Sequence, residues 1–298
     1  MPVVLPCCLT FFSPWLPRGY STKNSFSYLF SYGSKLLLSG LLDVTYNNLY
    51  QIFIGKKFSP AIVGQFYQAN QLASVPTTTL TGIIQRVTFP LFSQLQHDQD
   101  RMAKAYRKTL KLSTLVIFIF IFIVDLVLIA KPLLTSLLGE QWQGTAELLT
   151  VLCLGYMLYP IHSINLNLLQ VTGRSDLFLK LEVIKKVIGV TVLLFSIPYG
   201  VLAMCTGFTL TSYLALLLNT YYTAKLTNLS QWQQCKDILP IWLAVVVAAT
   251  LGYGAGLYFP QAWLQVGVNL GVALIVYGMY LVLAQKPLLL QLRSTFLR

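Results

Sequence analysis

The chain of 298 residues is 56% apolar and only 10% charged, with a mean hydropathy of +0.67 and a formal net charge of +12. An ordinary soluble domain carries about 25% charged residues, so this chain has too little charge to coat a globule in water. The composition excludes a disordered chain, a basic nucleic-acid-binding domain and a secreted disulfide scaffold, and leaves an all-α, polytopic transmembrane helix bundle.

Residues 1–25 form an apolar, proline-containing leader without the basic start of a signal peptide, and read either as a disordered leader or as the remnant of an upstream helix. Residues 26–298 form the membrane domain. Its first two spans, near 28–54 and 63–92, are polar for membrane helices. The third, 112–130, lies between Lys111 and Lys131 and carries one charge, Asp125. At 1.5 Å per residue it reaches about 28 Å, close to the roughly 30 Å hydrocarbon core. Residues 148–171 form the fourth span. The 38 uncharged residues between Lys186 and Lys225 are broken by Ile197-Pro198-Tyr199-Gly200, and the 48 between Asp237 and Lys286 by Phe259-Pro260-Gln261. These stretches supply spans 180–198, 201–224, 239–258 and 263–284, about eight in all. An even number puts both termini on one side. The 21 basic residues then divide 17 to 3 across the membrane, with Arg86 alone inside a span, which makes the termini cytoplasmic. The positive charge is thereby explained by topology and contact with membrane lipids, with no nucleic acid required.

The first two spans are too polar to face hydrocarbon all round. In the second, Tyr67, Gln71, Ser74, Thr78, Thr81, Gln85 and Thr88 recur at alternating steps of four and three, a single helical stripe. In the first, Tyr28, Lys35, Ser39, Asp43, Tyr46 and Tyr50 form a comparable stripe. Interhelical hydrogen bonding explains isolated polar residues, but two such stripes point to a water-filled cavity or substrate path. Arg86 is the leading candidate to contact an anionic substrate, since guanidinium suits bidentate phosphate recognition. An ion pair with Asp43 or Asp125 is the competing reading. Lys35 belongs either to the cavity mouth or to the head-group layer, and Asp125 is either a coupling-ion carboxylate or one half of a helix–helix pair.

The fourth span joins an apolar start to a polar half containing Tyr159, Pro160, His162, Ser163, Asn165, Asn167 and Gln170. Pro160 predicts a kink there, and Pro76 a second hinge candidate. His162 is expected to be a satisfied packing residue. Gly252 and Gly256, then Gly267 and Gly271, form two GxxxG pairs that predict a close hairpin of the last two helices. Glu182 with Lys185 and Lys186 reads as a solvated charge cluster at helical spacing. Asp98 and Asp100 make a D-x-D, but they open a basic helix and are explained by its dipole. No Walker loop, nucleophile elbow or HExxH is present, so no catalytic residue, metal or cofactor is assigned.

The ordered strings Phe30-Ser31-Tyr32-Gly33-Ser34-Lys35, Tyr46-Asn47-Asn48-Leu49-Tyr50, Ile54-Gly55-Lys56, Phe58-Ser59-Pro60, Gln85-Arg86-Val87-Thr88-Phe89-Pro90, Leu138-Gly139-Glu140-Gln141-Trp142 and Tyr159-Pro160-Ile161-His162, with Gly173-Arg174-Ser175-Asp176, resemble the lipopolysaccharide biosynthesis and oligosaccharide flippase family. That family belongs to the multidrug, oligosaccharidyl-lipid and polysaccharide exporter superfamily. The resemblance implies a bundle equivalent to the family's second half plus two extra helices. It implies a non-enzymatic role, moving polyprenyl-diphosphate-linked sugars across the bacterial inner membrane. It begins at the family's seventh helix, so a first bundle is lacking: either the chain is a fragment, or the other half comes from a further chain or another polysaccharide assembly protein. A small-molecule exporter of the same superfamily and a non-transporting membrane scaffold are the alternatives.

Overall fold

The computed structural model describes residues 22–116, 142–227 and 229–285. Asp125, Lys131, most of the 112–130 span and the leader through residue 21 lie outside them. The described chain is helical: α1 (Lys23–Lys57), α2 (Pro60–Gln94), α3 (Gln99–Val116), α4 (Gln143–Tyr156), α5 (Tyr159–Val171), α6 (Ser175–Ser196), α7 (Val201–Leu226), α8 (Gln231–Gly256) and α9 (Ala262–Ala284).

Local chemistry sets these boundaries. The Thr22 hydroxyl accepts from the Ser25 N–H at the start of α1, and Pro60 opens α2 in the first turn, where a missing N–H costs nothing. The Asp98 carboxylate accepts from the Arg101 N–H at 3.0 Å, so the first acid of the D-x-D caps α3. Gly173, at φ +72°, ends α5; the Arg174 N–H reaches back to the Leu169 carbonyl at 3.0 Å, a closure that needs a left-handed residue. Ser230 and Gln233 open α8 with a capping box.

The predicted kinked span is one stretch, Gly144–Val171, built as two helical segments. Met157 still donates to the Cys153 carbonyl at 2.9 Å, Leu158 shifts to the Gly155 carbonyl three residues back at 3.4 Å, and Pro160 then sits in the first turn of α5. A proline inside a helix loses a hydrogen bond and clashes with the preceding turn; restarting the helix removes both penalties. The break also divides the core. Leu149, Leu152 and Tyr156 of α4 pack with Tyr50, Phe66 and Met204, whereas Leu158 at the break and Ile161 and Ile164 of α5 pack with Tyr106, Ile238 and Val245. The predicted polar half of this span is almost wholly buried, and α5 is the element against which α2, α3, α6 and α7 all pack.

Among the described residues, four stretches are long and apolar enough to cross a membrane: Gly144–Val171, Val201–Leu226, Gln231–Gly256 and Leu264–Ala284. The α8–α9 hairpin uses only one of its two predicted GxxxG pairs. A Cβ on Gly252 would meet the Asn269 carbonyl at 2.7 Å, whereas Gly267 and Gly271 have open space beside them. Close approach therefore needs small residues on one partner only.

A buried polar network holds α3 to this core. The Tyr106 hydroxyl lies 2.8 Å from both the Asn165 and Gln234 side-chain oxygens, and Thr223 donates to Asn165 at 2.6 Å. Asp237 of α8 receives Arg107 through both carboxylate oxygens and Lys111 at 3.0 Å. Replacing Tyr106 by Phe leaves buried amide oxygens short of a donor. The Tyr106→Phe chain should lose about 1–3 kcal/mol of stability, read as a lower thermal midpoint in detergent; an unchanged midpoint would show that the network is not a structural tie.

Candidate functional site

A cavity of about 420 Å³ opens between α1, α2, α5, α6 and α7. That volume falls in the roughly 300–1,000 Å³ range of small-molecule sites. Its charged wall comes from α1 and α6. The helix α6 begins at Ser175, five residues before the predicted span, so Glu182, Lys185 and Lys186 stand about 10–16 Å along it. They are not the solvated cluster expected: the side chains are 7%, 14% and 16% exposed. Lys185 pairs with Glu182. Lys186 pairs across helices with Asp43, lies 3.7 Å from Glu182, and sits 4.6 Å from the centre of the Tyr46 ring.

Gly189 makes this seam possible. A Cβ there would lie 2.7 Å from carbons of the Tyr46 ring, so only glycine lets α1 lay that ring against α6. Tyr46 in turn meets Tyr50 edge-on at 5.6 Å, and Tyr50 meets Phe208 of α7 at 5.8 Å.

The predicted α1 stripe is therefore largely inward-facing. Ser39, Asp43 and Tyr46 line the cavity; Tyr50 is buried beside it, on a separate void of about 40 Å³; Lys35 is half-buried and off the lining. The α2 stripe splits. Thr81 and Gln85 line the cavity, and Thr88 is buried and accepts from the Asn167 amide at 2.8 Å. Gln71 and Thr78 are exposed and Ser74 is half-buried, with the Ser74 and Thr78 hydroxyls turned onto carbonyls of their own helix. A strict seven-residue repeat drifts about 20° per heptad on a straight helix, or roughly 60° from residue 67 to 88. One stripe in sequence is thus a slow spiral in space.

Arg86 is exposed and off the cavity lining; of its two alternative partners, Asp43 pairs with Lys186 instead, and Asp125 lies outside the described residues. His162 lines the cavity but has a partner on each ring nitrogen. The Asn219 amide, 3.1 Å away, donates to Nδ1, so Nε2 carries the proton toward the Ser212 hydroxyl at 3.2 Å, which donates to the Gly155 carbonyl. Pro76 lies inside α2, whose helix continues through it. Sequence reasoning missed the α6 charges as cavity groups. The available signal was Gly173: once it is read as the end of α5, α6 starts at Ser175 and carries Lys186 well beyond the helix end.

A family model described as polysaccharide biosynthesis protein matches residues 2–147. The teichuronic acid biosynthesis protein TuaB of Bacillus subtilis is 26% identical over 55% of this chain and 33% of its own length. The lipopolysaccharide biosynthesis protein WzxC of Escherichia coli is 24% identical over 71% and 42%, and the succinoglycan biosynthesis transport protein ExoT of Rhizobium meliloti 22% over 81% and 49%. The chain thus spans between a third and a half of these relatives, and the likeness read from its strings is shown. Among solved structures, the lipid II flippase MurJ in an inward closed conformation superposes with a TM-score of 0.66 at 14% identity, over 89% of this chain and 56% of that one, and shows a shared fold.

The α1–α6 seam makes a double-mutant cycle decisive. Asp43→Asn and Lys186→Gln should each lower thermal stability, and together by less than their sum, with a coupling of about 0.5–3 kcal/mol; strict additivity would mean that the two helices are not joined by this pair.

Proposed function

We propose that this chain takes part in moving lipid-linked oligosaccharides, carried on a polyprenyl diphosphate, across the bacterial inner membrane, with both termini cytoplasmic and without covalent chemistry. One observation carries the reading: a cavity with paired charges and polar side chains lies within a bundle whose other surfaces are strongly apolar. Charged groups at membrane depth mark pathways for polar cargo. The names of the relatives, which include polysaccharide biosynthesis proteins and a transport protein, support the same direction.

In this reading the sugars enter the cavity while the lipid tail stays in the bilayer. The diphosphate meets Arg86, whose exposed guanidinium forms no ion pair among the described residues. The break at Met157-Leu158 and Pro76 are the bending points, and alternating exposure needs a second bundle opposite α1 and α2. That bundle comes either from further sequence of the same protein or from another chain.

The test is translocation in proteoliposomes holding a fluorescent polyprenyl-diphosphate oligosaccharide. With the second bundle present, supplied by the further sequence or by the other chain, the assembly should speed exposure of the label to an impermeant reagent severalfold over protein-free vesicles, and Arg86→Ala should cut that gain about tenfold, the worth of one charge-assisted hydrogen bond. Rates equal to those of empty vesicles would refute the transport reading; full activity of Arg86→Ala would refute the role of the guanidinium.

A further inference from the structure

Two features of the cavity set the chemistry of what it holds. Its formal charges are already matched: Lys186 faces Asp43 and Glu182, and Lys185 faces Glu182, so neither ammonium stands without a carboxylate. Its neutral polar groups are not matched. Of seven buried side-chain polar atoms without a hydrogen-bond partner among the described residues, two belong to cavity-lining side chains, Thr81 Oγ1 and Ser163 Oγ. Ser163 is 4% exposed. The side-chain amides of Gln85 and Gln170, also on the lining, make no hydrogen bond within the described protein.

We infer that this cavity is a binding site for uncharged sugar residues, read through the hydroxyls of Thr81 and Ser163 and the amides of Gln85 and Gln170, and that it disfavours uronates and other acidic sugars. The inference rests on the transport reading and deepens it by naming the class of sugar.

The physical case has three parts. Hydroxyls and primary amides each donate and accept, which matches the mixed donor–acceptor pattern of sugar hydroxyls. A buried hydroxyl without a partner is unfavourable, and one turn about χ1 directs a Ser or Thr hydroxyl from the wall into the adjoining space. Finally, an incoming carboxylate has no unpaired cation to meet. It would have to displace the half-exposed Asp43 or the buried Glu182 from a lysine, which exchanges one ion pair for another and, at Glu182, strands a buried carboxylate. Aromatic rings of Tyr46, Tyr159, Phe178 and Phe208 supply the apolar part of the lining, against which the C–H faces of sugar rings pack.

The test uses the detergent-solubilised chain and two water-soluble trisaccharides, cellotriose and tri-galacturonate, with binding read by saturation-transfer NMR and calorimetry. Cellotriose should bind at least tenfold more tightly. Combined Thr81→Val and Ser163→Ala should weaken cellotriose about tenfold, with a thermal midpoint equal to or above the parent's because two unpaired hydroxyls are gone. Asp43→Asn, which leaves Lys186 short of a partner, should narrow the gap between the two sugars. Equal or tighter binding of tri-galacturonate by the parent chain, no binding of either trisaccharide at millimolar concentration, or an unaffected double variant would overturn the inference. Proteoliposome translocation without cellotriose binding would overturn it while leaving transport standing, and cellotriose binding without translocation would do the reverse.

Discussion

The Lys186 ammonium, 16% exposed, reaches from α6 to the Asp43 carboxylate on α1, whose side chain is 53% exposed at the cavity. The pair formed by Lys186 and Asp43 is the constraint from which much of the remaining structure follows. At an effective dielectric near 20, two unit charges about 4 Å apart attract by about 4 kcal/mol. Solvent at the exposed Asp43 screens that attraction, and the desolvation cost falls on Lys186 alone. The pair is therefore modest for net stability, but separating it leaves the largely buried Lys186 with Glu182 alone at 3.7 Å, and that cost favours one geometry. α1 must lie along α6 in the register that brings residue 43 to residue 186. Glycine at 189 then has to clear the Tyr46 ring, and the ring covers the ammonium. The cavity is the space left between that seam and α2, α5 and α7.

The second organising element is the break between α4 and α5. A continuous helix from Gln143 to Val171 would carry Pro160 in its interior and aim its apolar and polar halves along one axis. Interrupting it lets α4 serve the cluster around Tyr50 and Met204, while α5 serves the one around Tyr106 and Val245. Because α5 is enclosed on every side, its polar groups need partners. Asn165 finds Tyr106 and Thr223, Asn167 finds Thr88, and His162 finds Ser212 and Asn219. The same enclosure explains why Ser163, which has none, is conspicuous.

Much of this was legible in the residues. Charge-free stretches and their interrupting Pro and Gly gave helices at Val201–Leu226, Gln231–Gly256 and Ala262–Ala284, because hydropathy over some twenty residues is a strong signal. The polarity of the first two helices was equally plain. Direction was harder. The α2 stripe faces the cavity at Thr81 and Gln85 but solvent at Gln71, since a heptad pattern and a 3.6-residue helix drift apart, and sequence spacing alone does not say where along the drift a neighbour stands. The α6 lysines were hidden by a rule that is sound on average: charges near the end of an apolar stretch belong to the interface. Their pairing with Asp43 depends on contact between residues 143 positions apart, which one sequence does not display. Arg86 is the opposite case, a cation whose exposure was legible but whose place off the cavity lining was not.

A carrier must release what it binds, and that requirement bears on how the site is built. A bare lysine facing a phosphate or uronate in a low-dielectric pocket would hold it strongly and let it go slowly, since affinity differences are expressed mainly in dissociation. Hydroxyl and amide contacts contribute about 0.5–1.5 kcal/mol each, enough to favour entry of a sugar over loss of its water without trapping it. Keeping both lysines committed to carboxylates preserves the polarity needed for a hydrated passage while withholding free charge from the sugars inside the cavity. On the transport reading, the ion pairs thus keep the walls apart and polar, and the uncharged groups between them do the recognising.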